Sequence, residues 1–153
     1  MNKLSLFLAI LLGIGTVGVI SHNSNVDCIE VYVDYGPLNG GTKTTECVPA
    51  ESSILALDLL KNAGFSIEGT EEYGDATICR VNNFPDATQD PCFLMPLEGA
   101  YWAILVKEHQ LIPMPIGTAG AWGWAQTGAN EIYLNPGDSL GLVFADEGEV
   151  VFP

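Results

Sequence analysis

The 153 residues suffice for one domain of ordinary size. Nineteen acids against five Lys and Arg give a formal net charge of −14 and a pI near 4.1, which excludes a nucleic-acid partner, because phosphate binding needs basic side chains to displace counterions. A hydrophobic fraction of 48% beside a charged fraction of 16% excludes disorder for most of the chain, and the positive mean hydropathy of +0.25 comes largely from one N-terminal block.

That block begins the chain. Lys3 is followed by an apolar run over 4–20 and then by Ser21, His22, Asn23, Ser24 and Asn25. The order basic, apolar, polar is that of a secretory signal peptide over 1–21. As a helix the 17-residue run spans about 25 Å, short of a hydrocarbon core of about 30 Å, which favours cleavage before His22 over an uncleaved membrane anchor. Either fate puts the acidic domain outside, secreted or tethered, with membrane contact only through this segment. Cys28 is preceded by Asn25, Val26 and Asp27, without the small residue of a lipoprotein site, and is not read as lipidated.

Four cysteines remain in the exported part: Cys28, Cys47, Cys79 and Cys92. An even number in an exported domain points to two disulfides, and the lack of any Cys-x-x-Cys pair argues against zinc. Of the three connectivities, the pairing Cys28 with Cys47 and Cys79 with Cys92 is preferred. Folding 28–35 back on 42–48 through a turn at 37–41 brings the first two to one level.

Along 28–35 the residues Ile29, Val31, Val33 and Tyr35 alternate with Glu30, Tyr32 and Asp34, the period of a half-buried strand. Its partner over 42–48 is polar and β-branched, as an outer strand should be. Ser53 is then expected to cap a helix over 54–63, with Gly64 at its stop and Ile54, Leu57, Leu60 and Ala63 on the stripe that covers the sheet. From Ala76 onward strands and turns follow. A short strand over 76–81 is broken at Asn82, Asn83, Phe84 and Pro85, and a long loop over 86–99 is ordered by Cys92. The stretch 101–106 is apolar on both faces, as a central strand requires. Strands over 131–134 and 139–144 flank the turn 135–138, the latter with Leu140, Leu142 and Phe144 inward, and the acidic tail after Ala145 is expected to fray. A hairpin, one covering helix and further strands make an α+β domain over 28–146, a β-grasp-like mostly antiparallel sheet with one helix packed on it.

No enzyme chemistry is legible. There is no Gly-x-Ser-x-Gly, the two histidines His22 and His109 stand far apart in the chain, and Gly117, Gly120 and Gly123 do not form a nucleotide-binding fingerprint. The acids Glu68, Glu71, Glu72, Asp75, Asp86 and Asp90 could offer oxygens to calcium, but no EF-hand spacing appears, and no metal site is assigned. The aromatic residues carry more. Tyr101 and Trp102 must point to opposite faces of a strand, whereas Trp122 and Trp124 share one face if extended and could form a stacking platform for a planar ligand, a sugar or a partner.

The helix ending in Ala63 and Gly64, Tyr73-Gly74 before a strand, Tyr101-Trp102, and Asn135-Pro136-Gly137-Asp138 occur in an order that resembles the DUF4430 domains. These are similar to the C-terminal domain of transcobalamin and intrinsic factor. The resemblance covers most of 28–144. It implies a β-grasp-like fold on an exported, non-enzymatic protein, with cobalamin or another planar corrinoid as the ligand, and it makes Tyr101, Trp102, Trp122 and Trp124 the candidate contacts. The alternative it leaves open is a cell-surface adhesion or protein-interaction domain with no small-molecule ligand.

Overall fold

The computed structural model describes residues 27–93, 99–108, 121–146 and 149–153. The 1–21 segment, His109, the proline-rich stretch 111–115, Gly117 and Gly120 therefore lie outside the described residues.

The alternation after Cys28 produces strand β1 (Cys28–Asp34), and a tight turn with a short 3-10 segment (Leu38–Gly41) returns the chain as β2 (Lys43–Pro49). Ile29, Val31 and Val33 are fully buried and Glu30 is exposed. Asp34 departs from this alternation. It sits on the outward parity yet is only 4% exposed, because Lys43 directly across the hairpin closes over it with an ion pair of 2.6 Å.

The helix starts later than the serine signal implies. Ile54–Leu55 forms a two-residue strand, β3, and helix α1 runs over Ala56–Asn62 with Leu55 at its N-cap and no side-chain cap. Pairing of β3 with β8 (Tyr133–Leu134), together with the bond from the Ala56 N–H to the Ile132 carbonyl, holds these residues extended. The far end follows the sequence: Ala63 is the C-cap, and Gly64 takes the left-handed φ of 88° that a side chain would resist. Ala56, Leu57, Leu59 and Leu60 are buried, while Ile54 and Ala63 are only half-buried.

Next comes a hairpin that the sequence pattern did not reveal, β4 (Ile67–Thr70) with β5 (Gly74–Val81). Its first strand, Ile-Glu-Gly-Thr, is short, and its register shifts at Gly69 erase the alternation that would mark it. The central strands are β6 (Tyr101–Lys107) and β9 (Ser139–Ala145), with the short β7 (Gly123–Trp124) at the edge of β6.

The main sheet has the order β2-β1-β9-β6-β7. Every neighbouring pair in it is antiparallel except β1 with β9, the first and last strands, which run parallel at its centre. The result is α+β, with α1 the single α-helix among the described residues and mostly antiparallel sheets. All seven residues of β9 are buried because both faces of the sheet are covered. The inner face carries Val31, Val33, Trp102, Val106, Leu140 and Leu142 against Leu59 and Leu60 of α1 and Ile78 of β5. The outer face carries a smaller cluster built on Ala103, Leu105 and Val143.

Two disulfides close the structure. Cys28 bonds to Cys47 across the first hairpin, and Cys79 of β5 bonds to Cys92. Two such bonds fit an oxidising, extracellular setting. No helix among the described residues is long and apolar enough to cross a membrane.

Candidate functional site

Strand parity sorts the four candidate aromatic residues into two groups. Trp102 faces the core, is 4% exposed, and donates its indole N–H to the Phe84 carbonyl at 3.1 Å. Tyr35 and Phe144 meet it edge to face, at centroid distances of 5.4 and 5.3 Å. A ring enclosed on this many sides and bonded through its only polar atom serves mainly to pack the core, and Trp102 reaches only the wall of a groove along β6.

Tyr101, Trp122 and Trp124 come together on the other face. Leu105 pairs with Trp124 across β6 and β7, and paired residues of an antiparallel ladder point the same way, so Trp124 lies with Leu105, Ala103 and Tyr101 on the outer surface. Trp122, two residues before Trp124, takes that face too. The Tyr101 and Trp124 rings lie 6.4 Å apart and only 31° from parallel, and Trp124 is 42% exposed.

Trp122 is held differently. Its ring crosses the sheet to Gly141 of β9, where a Cβ would stand 3.0 Å from the indole, and ends beside Tyr32 of β1 at 6.4 Å. Only the missing side chain of Gly141 lets the ring lie this low. The Lys107 ammonium sits 5.2 Å from the Trp122 centroid and 3.9 Å from Glu30, adding a cation–π contact. Trp122 thus supports the surface, and Trp124 with Tyr101 offers it to solvent.

The polar frame of this face is local. The Tyr32 hydroxyl donates to Asp34 at 3.4 Å, and burial first, then the Asp34 charge, raises its pKa above 10.0. Lys43 is likewise raised above 10.5, mainly by its hydrogen bond to Asp34. Lys43 and Lys107 place two of the five basic residues of the chain on the aromatic face of an otherwise acidic protein.

Three of the six acids considered for calcium, Glu68, Asp86 and Asp90, are engaged elsewhere, and Glu71, Glu72 and Asp75 are exposed. Glu68 pairs with Arg80, a 7%-exposed guanidinium that also donates to the carbonyls of Pro85 at 2.8 Å and Asp90 at 2.6 Å. Asp86 accepts from the Thr88 hydroxyl and N–H, which holds its carboxyl below the ordinary 3.8. The Asp90 carboxylate accepts from the Cys92 N–H at 2.8 Å. It approaches the sulfurs of Cys79 and Cys92, but these are spent in a disulfide and cannot ligate a cation.

Two depressions flank these elements. One, of about 180 Å³, runs along the edge of β6 between Tyr101, Trp102, Ile104 and Trp124 on one side and Ala76 and Ile78 on the other. The second, of about 370 Å³, is lined by Pro37, Leu38, Pro85, Gln89, Asp90 and Asp146 together with Phe144 and Ala100, and none of the four candidate aromatic residues reaches it.

Three contributors to the aromatic face escape a reading by residue type. Tyr32 is legible only as the polar side of a strand. Gly141 leaves a signal, a lone glycine inside an apolar strand, which marks a close approach. The third is Phe152, whose ring meets Trp124 at 6.1 Å and 88° although the tail after Ala145 was expected to fray. Its apolar run Val150, Val151 and Phe152 shows that the segment is not wholly polar, but not what it packs on.

No family model, curated protein or solved structure matches the chain.

Proposed function

We propose that this chain is an exported, non-enzymatic binding module of β-grasp-like architecture, whose Tyr101 and Trp124 form a stacking platform for a flat ligand of the corrinoid class. The carrying observation is the near-parallel, solvent-facing pair of rings on the outer sheet surface, with Trp124 42% exposed. Buried aromatics need no further account, but an exposed tryptophan seated beside a tyrosine is a ready surface for planar recognition.

Export is supported by the basic, apolar, polar order of 1–21 and by the two disulfides. The β-grasp reading draws on one helix packed against a mixed sheet whose last strand returns parallel to the first. The DUF4430 resemblance supplies the ligand class.

The groove beside the platform, about 180 Å³, is smaller than the roughly 300–1,000 Å³ that encloses a drug-sized molecule. The module would therefore cover one side of a corrinoid rather than surround it. A second reading, a cell-surface adhesion domain with a protein partner, draws on Tyr73, Phe93 and Tyr133, which are 50, 59 and 63% exposed.

Isothermal titration of the oxidised protein with cyanocobalamin, and in parallel with simple glycans, decides between them. The corrinoid reading expects saturable heat with cyanocobalamin, weakened about 3- to 10-fold by Trp124→Ala through loss of stacking, and unchanged by Trp102→Phe. Heat with glycans alone would replace the ligand class, and no heat with either would leave the adhesion reading.

A further inference from the structure

The segment after β9 does not leave the molecule. Asp146 and Glu149 form a bridge in which the Glu149 N–H donates to the Asp146 carbonyl at 3.2 Å, turning the chain back on itself. Val150 then packs on the outer cluster of Ala103, Leu105 and Val143, and Phe152 sets its ring edge-on to Trp124. Trp124 thus has Tyr101 on one side and Phe152 on another.

We infer that residues 149–153 are a displaceable strap that covers part of the Trp124 ring of the Tyr101–Trp124 platform in the free protein, and that a planar ligand must compete with Phe152 for that part of Trp124. The competition rests on the platform reading above, whereas the shielding does not.

Three features make this segment a strap rather than a sixth strand. Among the described residues, Val150, Val151, Phe152 and Pro153 make no backbone hydrogen bond to the sheet, so they can be lifted without breaking a ladder. Their hold is through two apolar side chains, Val150 and Phe152, and even these are incompletely covered, with Val150 half-buried and Phe152 43% exposed. The ring contact also falls on the most exposed of the three tryptophans. Trp102 is enclosed in the core and Trp122 lies on Gly141, so neither depends on Phe152. An aromatic edge against an indole is a weak, reversible contact, which is what a ligand with a larger flat surface can replace.

The decisive measurement is collisional quenching of tryptophan fluorescence by acrylamide in the full exported chain with both disulfides intact. Phe152→Ala should raise the quenching constant of the accessible tryptophan about two-fold by removing a partner that covers part of the ring, while the melting temperature stays within a degree or two, as for other weakly packed surface sites. Val151→Ala should change neither. An unaltered quenching constant in Phe152→Ala, or a fall in melting temperature as large as that of a core substitution, would overturn the strap.

A second measurement reads the competition through titration of the same variants with cyanocobalamin. If the strap covers the platform most of the time, Phe152→Ala should lower the apparent Kd about 3- to 10-fold, because apparent affinity scales with the fraction of open protein. Raised quenching with an unchanged Kd would refute competition while leaving the shielding in place. Raised quenching with no cyanocobalamin binding in either protein would refute the ligand class and uphold the strap.

Discussion

Trp102 and Trp124 stand on adjacent strands of one sheet, with exposures of 4 and 42%. On the inner face Trp102 is the middle of a stack in which Phe84, Tyr35, Trp102 and Phe144 meet edge to face at 5.3–5.7 Å, beneath a helix and a second hairpin. On the outer face the rings form a single layer on small residues, Gly141 and Ala103, covered in part by Lys107 over Trp122 and by residues 149–153. The same residue type is therefore structural where two layers enclose it and available where one layer carries it. Among the described residues, nothing as thick as the helix and second hairpin lies over β6 and β7.

Truncation of the two indoles should separate the faces most strongly. Trp102→Ala removes a core ring and one of the two hydrogen bonds to the Phe84 carbonyl, which keeps the Val81 N–H, and is expected to destabilise the fold by about 3–5 kcal/mol in urea denaturation. Trp124→Ala should stay below about 1 kcal/mol, as surface changes do. Equal losses would mean that the outer layer is a second core rather than a displayed surface.

A subtler probe is the support beneath Trp122. Gly141→Ala would bring a methyl to 3.0 Å from the indole and 3.3 Å from the Leu105 Cβ, and overpacking of this kind costs about 1–3 kcal/mol. The double variant with Trp122→Leu should recover part of that loss, a coupling that a double-mutant cycle reads directly. Additive losses would show that Gly141 is needed for its backbone alone.

The smallest difference concerns pH. Burial raises the pKa of Tyr35 above 10.0 on the inner face, against the opposing bond from the Asn82 amide, and Tyr32 and Lys43 are also raised on the outer face. All three hold their protons more tightly when folded. Their contribution is complete below the unfolded values, near 10.0 for tyrosine and 10.5 for lysine, and is lost as pH climbs through the folded ones. Thermal melts should be flat just below that range and decline above it. Tyr35→Phe should soften the decline more than Tyr32→Phe, since Tyr35 is the more deeply enclosed.

Much of this architecture can be read from residue order because the relevant forces act locally. The alternation of Ile29, Val31 and Val33 marks β1, the polar β-branched partner marks an outer strand, Gly64 ends the helix, and Asn135 to Asp138 turn the chain into β9. Spacing also puts Tyr101 and Trp102 on opposite sides and Trp122 with Trp124 on one. The start of α1 was not legible, because Ile54 and Leu55 are held extended by strand β8 some eighty positions later, and no local cap announces that pairing. The β4 strand was hidden by its register shifts.

The assignment of roles lay further out of reach. Parity along a strand says that two neighbours face apart, but not which side receives the helix, since either face of an apolar strand such as Tyr101–Lys107 can be buried. That choice is made when α1 and β5 settle on one side of the sheet. It turns Trp102 into core and leaves Tyr101 and Trp124 outside. The return of Phe152 onto Trp124 joins residues on separate segments through a contact that carries no periodicity, so only packing in three dimensions could disclose it.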